Sequence, residues 1–581
     1  MMAREREAAP GRLLRNTAMK VGRDSATWVV GISASHNGAV CLLRDDEVVV
    51  AVQEERLSRF KRHRIYGAEP SRALAYCLEY AGLTPDDLSL AVVCLQGRAR
   101  DAKHAVESNP ALRGARGRVP TVVIPHHLGH AFHAFATSGF EDAAVLVVDG
   151  AGSPFEDLWE DERGAVRIPV EDGWETISLY AASGASVVPL EKHLVERGSW
   201  YRPRGGGMPG FGSLGGMFSS VATQLFNEST EAGKVMGLAP YGSAALPVES
   251  FFCLEDGRFK FLDDVPSRFT HAERWPARAE EYRNLAASVQ AALEVAILHL
   301  ARRLRELCPV ENLCYAGGVA LNSVANERVI RESGFREVYI PPAAEDSGPA
   351  IGAAYYGLWR LTGHNTRRRM AHDSCGIAYS PKAVASAVEK FAPRVRVVVP
   401  NDIIAEAVER MCAGQIIGWF DGGSELGPRA LGQRSILCDP RRADAKEILN
   451  VRVKRREPFR PFAPVVPLEE VGEWFELDGA PRESPFMLRV CDFKEEKKAR
   501  VPSVVHVDGT GRVQTVTSEA NGRFYELVKK FGEAAGTPVV LNTSFNVMGE
   551  PIVETPEDAV RCLLASGLDC CVFEDRIVVK E

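Results

Sequence analysis

The opening of the chain constrains its fold most, because three apolar runs rich in β-branched residues are separated there by two short polar turns. Residues 28–43 contain two such runs around Ser35-His36-Asn37-Gly38, and residues 48–52 form the third after Asp45-Asp46. Runs of this kind bounded by turn residues predict strands, and two successive turns predict an antiparallel meander. Later strand-like and helix-like segments alternate, which predicts an α/β protein.

Length and local composition divide the chain. Its 581 residues predict about two to four domains. A polar and basic stretch at residues 362–374 is typical of a linker, so we place the boundary there, with one domain at residues 25–366 and the other at residues 367–581. Residues 1–24 are basic and lack an apolar segment, and we interpret them as a disordered extension.

Overall composition argues against several classes of protein. The formal net charge is −7 and the pI about 6.1, which disfavours a dedicated nucleic-acid binder. No apolar run is long enough to span a bilayer and no secretory signal is present, so we expect a cytoplasmic protein without a membrane partner. The thirteen cysteines are scattered without a CxxC pair, which predicts reduced thiols and neither a zinc nor an iron–sulfur site.

Four of the thirteen histidines lie in one short segment, residues 125–133. His126 and His130 are four residues apart, so on a helix both imidazoles project from one face. Two neutral imidazoles provide half of a divalent-metal site, and carboxylates must complete it. Asp149, after an apolar run, and Asp346, before a run of small residues, are the candidates. A histidine pair at this spacing also occurs as simple packing, so the two acids are needed for the metal prediction.

Two turns have the composition of ligand-binding loops. A strand-like run at residues 312–316 leads into Gly317-Gly318 and then a helical segment with Asn322, which predicts a phosphate or ribose cradle because glycines permit close approach and a helix N-terminus favours anions. His36 lies in the first turn of the chain between small residues. A single turn histidine is commonly only solvated, but its small neighbours leave room for a ligand.

The second half contains most of the candidate anion ligands. Its arginines are interleaved with glycine, proline and serine, which favours loops converging on an anion over a solvated helix face. The candidates are Arg429, Arg434, Ser435, Lys454, Arg456, Arg460, His506, Arg512, Asn542, Ser544 and Asn546.

Ten segments of the chain resemble the NodU/CmcH family of O-carbamoyltransferases, which carbamoylate hydroxyls of antibiotics, toxins and nodulation factors. They occur in the family's order from about Trp28 to the C-terminus. The segments are GISASHNGAV, QEERLSR, HHLGH, EAGKVMGLAPYG, GGVALNSVAN, EDSGPAIGAA, ELGPRALGQRSIL, KRREPFRPFAP, VHVDGTGRVQTV and LNTSFNVMGEPIV. The chain departs from the family in its N-terminal extension and in a loop around His36 that is shorter than in some members.

The resemblance implies two α/β domains. The first would be an actin-like domain built from duplicated ribonuclease-H-like units, which the two opening hairpins also suit. The second would be a YrdC-like twisted α/β domain, whose Lys-x-Arg and Ser-x-Asn signature is matched by Lys454-Arg455-Arg456 and Ser544-Phe545-Asn546.

The resemblance also implies an activity. The second domain would make carbamoyl-adenylate from carbamoyl phosphate and ATP, with Mg²⁺ as an accompanying ion and with Arg429, Lys454 and Arg456 acting on the reacting phosphates. The first domain would transfer the carbamoyl group to a hydroxyl of a small molecule, and a natural product is the expected acceptor. His36 would be the candidate base, and Gly317, Gly318 and Asn322 would hold the nucleotide. Family metal ligands correspond to His126, His130, Asp149 and Asp346, around Fe(II) or another divalent metal.

Two other functions stay open at this point. A threonylcarbamoyl-type tRNA-modification enzyme shares the actin-like domain, although the acidic pI counts against it. An actin-like ATPase or sugar kinase shares that domain too, but it has no use for the second one. For the quaternary structure we expect a monomer or a homodimer, and we expect no nucleic-acid partner.

Overall fold

The computed structural model describes residues 26–65, 70–98, 112–196, 207–364 and 368–581. The extension predicted at residues 1–24 lies outside these ranges. The α-helices span Glu54–Ser58, Arg72–Ala81, His126–Ala136, Glu160–Gly164, Leu214–Phe226, Ala232–Leu238, Asp264–Arg268, Ala279–Leu307, Ser323–Glu332, Pro349–Thr362, Pro381–Glu389, Ile403–Cys412, Ala445–Ile448, Val471–Trp474, Glu495–Lys498, Gly522–Ala535 and Pro556–Ala565.

The first sheet contains the predicted antiparallel meander. Its central strand, Trp28–Ser33, pairs antiparallel with Ala39–Arg44 and parallel with Leu90–Cys94. In spatial order the strands are Glu47–Gln53, Ala39–Arg44, Trp28–Ser33, Leu90–Cys94 and Thr121–Ile124. Successive residues of the central strand, such as Val29 and Val30, point to opposite faces of the sheet. Both are buried, because helices cover the sheet on either side.

The second sheet repeats this arrangement strand for strand. Its first three strands again form an antiparallel meander, and its fourth and fifth again run parallel to the first. In spatial order the strands are Ser186–Glu196, Gly173–Ser183, Asp142–Val148, Asn312–Ala316 and Glu337–Tyr339. This duplicated order confirms the predicted α/β fold of the first domain, with two ribonuclease-H-like units.

The second half of the chain forms one mixed nine-stranded sheet. In spatial order its strands are Val395–Val398, Ile577–Lys580, Cys570–Val572, Ile417–Phe420, Arg434–Cys438, Val540–Ser544, Ala463–Pro467, Thr510–Val516 and Arg489–Asp492. Two pairs are parallel and the others are antiparallel. All nine strands follow residue 367, so the predicted domain boundary leaves every sheet whole. Two small hairpins complete the strands of the first half, Arg113–Gly114 with Gly117–Arg118 and Phe252–Glu255 with Arg258–Phe261.

The helix Ala279–Leu307 packs along the second sheet. Its buried residues recur at intervals of three and four, as at Leu285, Val289, Ala292 and Ala296. In the described part of the chain it is the one helix whose length and apolar composition would suffice to cross a membrane, but 67% of its apolar window is buried inside the protein. Core helices meet the same criterion, so the helix is weak evidence for a membrane segment. All thirteen cysteines are free thiols, and most are buried.

Candidate active site

The histidine segment forms the helix His126–Ala136, as its spacing predicts. Every residue of this helix is buried, because it lies between the two five-stranded sheets and against the helix Pro349–Thr362. The Nε2 atoms of His126 and His130 lie 3.2 Å apart. The helix therefore presents two imidazole nitrogens to a single point.

The two predicted carboxylates meet these nitrogens. Asp149 follows the first strand of the second sheet, and Asp346 follows its fifth strand. The Nε2 atom of His126 lies 3.2 Å from Asp149 Oδ2 and 3.4 Å from Asp346 Oδ1. The corresponding distances from His130 are 3.5 and 3.6 Å. One ligand atom of each of the four residues lies within 4.8 Å of the other three.

The electrostatics of this cluster favour a bound cation. Burial tends to raise the pKa of Asp149, and the nearby carboxylate of Asp346 adds to that effect, but hydrogen bonds from the two imidazoles outweigh both and lower the pKa. Burial is the largest single effect on His126 and lowers its pKa, but the charge of Asp346 and hydrogen bonds to Asp149 and Asp346 together outweigh burial and raise the pKa. Two buried carboxylates thus stabilise a positive charge between them and the imidazoles. A divalent metal with two nitrogen and two oxygen ligands would supply that charge and leave the imidazoles neutral.

His36 extends the site beyond the four ligands. Its Nδ1 atom lies 3.0 Å from Asp346 Oδ2 and 3.0 Å from the amide oxygen of Gln96. Burial lowers the pKa of His36, but Asp346 outweighs burial and raises it to about 9. Because Nδ1 faces Asp346 and Gln96, Nε2 is the ring nitrogen left for an incoming hydroxyl.

The duplicated fold explains why distant residues converge here. His36 follows the first strand of the first sheet, and Asp149 follows the equivalent strand of the second. His126 follows the fifth strand of the first sheet, and Asp346 follows the fifth strand of the second. Equivalent strand ends of the two units therefore face each other across the site.

The Gly317-Gly318 turn packs against this cluster. Gly317 has a φ of +96°, and a Cβ there would lie 2.2 Å from the carbonyl oxygen of Val148. A Cβ at Gly318 would lie 3.0 Å from Asp149 Oδ1. The predicted helix does not begin at these glycines, because a 3₁₀ turn at Gly318–Leu321 intervenes. The glycines are thus placed for a close approach between this turn and the loop of Asp149.

Gly317→Ala should destabilise the first domain. The new Cβ combines an unfavourable φ with a clash against backbone, so we expect a loss of about 2 kcal/mol or more in the free energy of unfolding. Gly334→Ala is the matched control, because Gly334 also has a positive φ but open space around its Cβ position; it should cost only about 1 kcal/mol. Denaturant midpoints measure both, and equal losses would contradict the close approach.

Asn322 is already engaged within the protein. Its amide oxygen accepts the N–H of Ala325, which caps the helix Ser323–Glu332, and its amide exchanges two hydrogen bonds with Gln290, at 2.9 and 3.0 Å. This geometry accounts for Asn322 as the cap of that helix.

A second cluster lies in the second half of the chain and is strongly cationic. Burial lowers the pKa of Arg512, and the charges of Arg429, Arg456 and Arg460 lower it further. Burial and Arg460 together lower the pKa of Arg429 to about 10. In the described ranges neither Arg429 nor Arg512 forms an ion pair with a carboxylate, and Arg429 Nε has no hydrogen-bond partner. Like charges held together in this way indicate an anion site.

Lys454 lies at the edge of this cationic cluster. Its Nζ atom donates to the carbonyl oxygens of Ser544 and Asn546 at 2.7 and 2.9 Å, and to their side-chain oxygens at 3.1 and 2.5 Å. Burial holds the pKa of Lys454 well below its ordinary value, and the charge of Arg456 adds to this effect. The two halves of the Lys-x-Arg and Ser-x-Asn signature, distant in sequence, are therefore in direct contact.

Arg456 and His506 complete the cationic cluster. Arg456 donates from Nε to the amide oxygen of Asn450 at 2.8 Å, and its guanidinium lies 4.7 Å from the ring centre of Phe462. Burial lowers the pKa of His506 to about 4, with Arg512 contributing, and its Nδ1 lies 3.1 Å from the hydroxyl of Thr510. His506 is thus a neutral ring beside the cations.

Three other predicted anion ligands are engaged elsewhere. Arg434 is fully buried, donates to the carbonyl oxygens of Asp421, Gly422 and Gln433, and stacks 3.6 Å from the ring centre of Phe420.

Ser435 accepts the N–H of Gly432, and Asn542 donates to the carbonyl of Ala430 and to the side chain of Gln514. Ser435 and Asn542 therefore brace the loop that carries Arg429.

The loop that carries Arg429 also touches the metal-ligand region. A Cβ at Gly427 would lie 2.7 Å from the carbonyl oxygen of Pro342, four residues before Asp346. The buried Arg56 donates to the carbonyl of Gly427 at 2.8 Å. One loop thus joins the cationic cluster of the second domain to the loop of a metal ligand in the first.

Several residues around the metal-ligand cluster were not predicted from the sequence. Glu345 is buried and accepts hydrogen bonds from Asn37 and Ser347. Ser33 donates to the carbonyl of Asp346. Glu175 lies behind the histidine helix and accepts the N–H of His127. The acid adjacent to Asp346 in EDSGP offered a sequence signal, whereas Glu175 lies inside an ordinary strand.

Two family models match the chain, one in its first half and one in its second. The family model described as Carbamoyltransferase N-terminus matches residues 28–107 and 102–355, and the model described as Carbamoyltransferase C-terminus matches residues 408–580. The chain is 34% identical to nodulation protein NolNO of Sinorhizobium fredii, covering 94% of this chain and 79% of the relative. It is 28% identical to 3'-hydroxymethylcephem-O-carbamoyltransferase of Streptomyces clavuligerus, covering 92% and 95%.

Solved structures resemble the chain only loosely. Full-length HypF in the phosphate- and nucleotide-bound form superposes with a TM-score of 0.36 at 14% identity, over 59% of this chain and 56% of HypF. A ROK family glucokinase from Streptomyces griseus has a TM-score of 0.28 at 13% identity, over 56% of this chain and 98% of the glucokinase. The strand order described above, and not these scores, establishes the duplicated fold.

Proposed function

The chain belongs to the carbamoyltransferase family, and we propose that it is an ATP-dependent O-carbamoyltransferase with one reaction in each domain. The second domain makes carbamoyl-adenylate from carbamoyl phosphate and ATP. The first domain transfers the carbamoyl group to a hydroxyl of a small molecule.

One observation carries this proposal: the cationic cluster and the metal-ligand cluster lie in different domains, and a single loop contacts both regions. Arg429 belongs to that loop, and Gly427 of the same loop packs on Pro342 beside the segment of Asp346. A kinase or simple ATPase needs one phosphate site, whereas activation followed by transfer needs two. The arrangement therefore suits a reactive intermediate made in one domain and consumed in the other.

Donor activation fits the cationic cluster. Carbamoyl phosphate loses inorganic phosphate to water and leaves carbamate, whose oxygen attacks the α-phosphorus of ATP while pyrophosphate leaves. Arg429, Arg456 and Arg512 would stabilise the charge that develops on the phosphate oxygens. Lys454 is pre-oriented by Ser544 and Asn546, and Arg460 and His506 border the same region.

Transfer fits the metal-ligand cluster. His126, His130, Asp149 and Asp346 would hold Fe(II) or another divalent metal, which when bound supplies a Lewis acid for the donor's phosphate. An acceptor alcohol has a high pKa and needs a base near neutral pH. We assign this role to His36: a cation held by Asp346 would offset the negative charge that raises the pKa of His36, and the neutral ring would then take the proton on Nε2 while Asp346 and Gln96 hold Nδ1. The oxygen then attacks the carbamoyl carbon, and AMP leaves with its bonding electrons.

The acceptor is proposed to be a natural product. The name of one relative supports a small molecule, since that enzyme carbamoylates 3'-hydroxymethylcephem. We further propose a cytoplasmic monomer or homodimer that requires neither a membrane nor nucleic acid, in accord with the net charge of −7.

Purified protein with ATP and carbamoyl phosphate, without acceptor, provides the test. We expect release of pyrophosphate and a carbamoyl-adenylate species in the mass spectrum. Omission of carbamoyl phosphate is the control and should suppress both signals. Steady formation of ADP in place of pyrophosphate would contradict the proposal and favour an actin-like ATPase or sugar kinase, and tRNA binding with a steep salt dependence would favour the tRNA-modification alternative.

A further inference from the structure

A buried ion pair lies behind the metal-ligand cluster and does not take part in the proposed chemistry. Lys192 and Glu175 come from neighbouring strands of the second sheet, and both are 0% exposed. Lys192 Nζ lies 2.6 Å from Glu175 Oε2. It also donates to the hydroxyls of Ser178 and Tyr180, each at 2.9 Å, and lies 3.2 Å from Glu162 Oε1. Complete desolvation of a lysine with this many partners is uncommon.

Glu175 contacts two of the three chain segments that deliver the proposed metal ligands. Its Oε1 atom accepts the N–H of His127 at 3.0 Å, at the start of the histidine helix. The same oxygen accepts the N–H of Ser153 at 3.0 Å, in the loop that follows Asp149. The Ser153 hydroxyl in turn accepts the N–H of His126 at 2.9 Å.

The first helical N–H groups have no partner inside a helix, and Pro125 at the N-cap offers no side-chain acceptor. The Glu175 carboxylate and the Ser153 hydroxyl, from other parts of the fold, supply the missing hydrogen-bond acceptors. The backbone of Glu175 also pairs with the loop, since its N–H donates to the carbonyl of Ser153 at 3.0 Å and its carbonyl accepts the N–H of Gly152 at 2.8 Å. One residue thus sets the distance between the helix of His126 and the loop of Asp149.

We propose that Glu175 and Lys192 are positioning residues for the metal centre: Glu175 fixes the histidine helix and the loop of Asp149 relative to each other, and Lys192 holds the Glu175 side chain in its orientation. This inference rests on the proposed metal site. Partners that orient metal ligands from behind commonly change metal affinity 10- to 100-fold when they are replaced. The pair should therefore tune metal binding without touching the metal.

The test measures metal binding directly. Co²⁺ is titrated against a chelating indicator, and its visible absorption bands report the coordination geometry. The wild type is compared with Glu175→Gln, Lys192→Met, the double variant and Ser153→Ala. Ser138→Ala is the matched control, because Ser138 is buried two residues beyond the C-terminal end of the histidine helix and donates to the carbonyl of Phe135 at 2.8 Å. All are measured at a temperature where each is folded.

We expect the dissociation constant for Co²⁺ to rise 10- to 100-fold in Glu175→Gln and Lys192→Met, with altered absorption bands. Ser138→Ala should stay within about twofold of the wild type, because it lies beyond the C-terminal end of the histidine helix. The double variant should bind more tightly than Lys192→Met, since it removes the Glu175 carboxylate that Lys192→Met leaves buried without its ammonium partner. If the Glu175 and Lys192 variants do not fold, Ser153→Ala carries the test and should show weaker binding.

Two negative results have different meanings. A wild type that binds no divalent metal overturns the proposed metal centre itself. A wild type that binds Co²⁺, together with Glu175→Gln, Lys192→Met or Ser153→Ala variants that match its affinity and spectrum, overturns the positioning role alone. A loss in Ser138→Ala as large as in the other variants would also overturn that role, because it would show that general destabilisation is the cause.

Discussion

Lys454→Ala should reduce pyrophosphate release by about 10³-fold or more, the loss expected when a preorganised charge on a transferring phosphate is removed. The Lys454 ammonium is held by four oxygens of Ser544 and Asn546, so its position is fixed before the nucleotide arrives. Burial and the neighbouring cations lower the pKa of Lys454, and the negative charge of a bound polyphosphate would offset the repulsion between these cations. The measurement is ATP–pyrophosphate exchange with carbamoyl phosphate present.

Arg455→Ala is the matched control for this prediction. Arg455 is the next residue in the chain, is exposed, and donates to the carbonyl of Ala565 on the protein surface. It should keep exchange near the wild-type rate. Transfer from supplied carbamoyl-adenylate should persist in Lys454→Ala, because that step uses the first domain. Loss of transfer with exchange intact would reverse the assignment of the two reactions to the two domains.

His130→Ala should produce the opposite pattern. Removing one of two imidazoles leaves two buried carboxylates with fewer ligands around the cation, so bound metal and carbamoyl transfer should both fall below detection. ATP–pyrophosphate exchange should continue, because Arg429, Lys454 and Arg512 lie in the other domain. Metal per chain is measured by elemental analysis, and transfer by product formation with a candidate alcohol.

His133→Ala controls for the loss of a buried histidine from the same helix. His133 is fully buried, burial lowers its pKa to about 3, and its ring nitrogens have no partner in the described part of the chain. Its variant should lose stability but retain the metal. Retention of metal and transfer by His130→Ala would show that the four-residue cluster is not the metal site.

The cluster of two histidines and two aspartates was predictable from the sequence because each member follows a local rule. A four-residue histidine spacing places two rings on one helix face, and a carboxylate after a buried strand lies at a sheet edge where loops converge. The three opening strands were predictable for a similar reason, since their apolar runs end at turn residues. These signals depend on neighbours in sequence, and the fold preserves them.

Residues that depend on distant partners were harder to predict. Arg434 looked like a phosphate ligand, but in the structure its guanidinium donates to backbone carbonyls and stacks on Phe420. Asn322 was predicted as a nucleotide ligand from its position after the two glycines, and nothing in the sequence indicated that its amide bonds to Gln290. Glu175 and Lys192 gave no signal, because single charged residues in a strand are normally on its solvent face. Composition cannot distinguish an arginine that awaits an anion from one already bonded inside the protein.

The placement of the proposed metal ligands at equivalent strand ends of two sheets has a consequence for how the protein matures. His126 comes from the first unit, whereas Asp149 and Asp346 come from the second, and Asp346 follows its last strand. A nascent chain therefore cannot complete the site until the second unit has emerged and docked on the first. Metal uptake should be a late event in biosynthesis, so metal captured by a growing chain would report that both units have assembled.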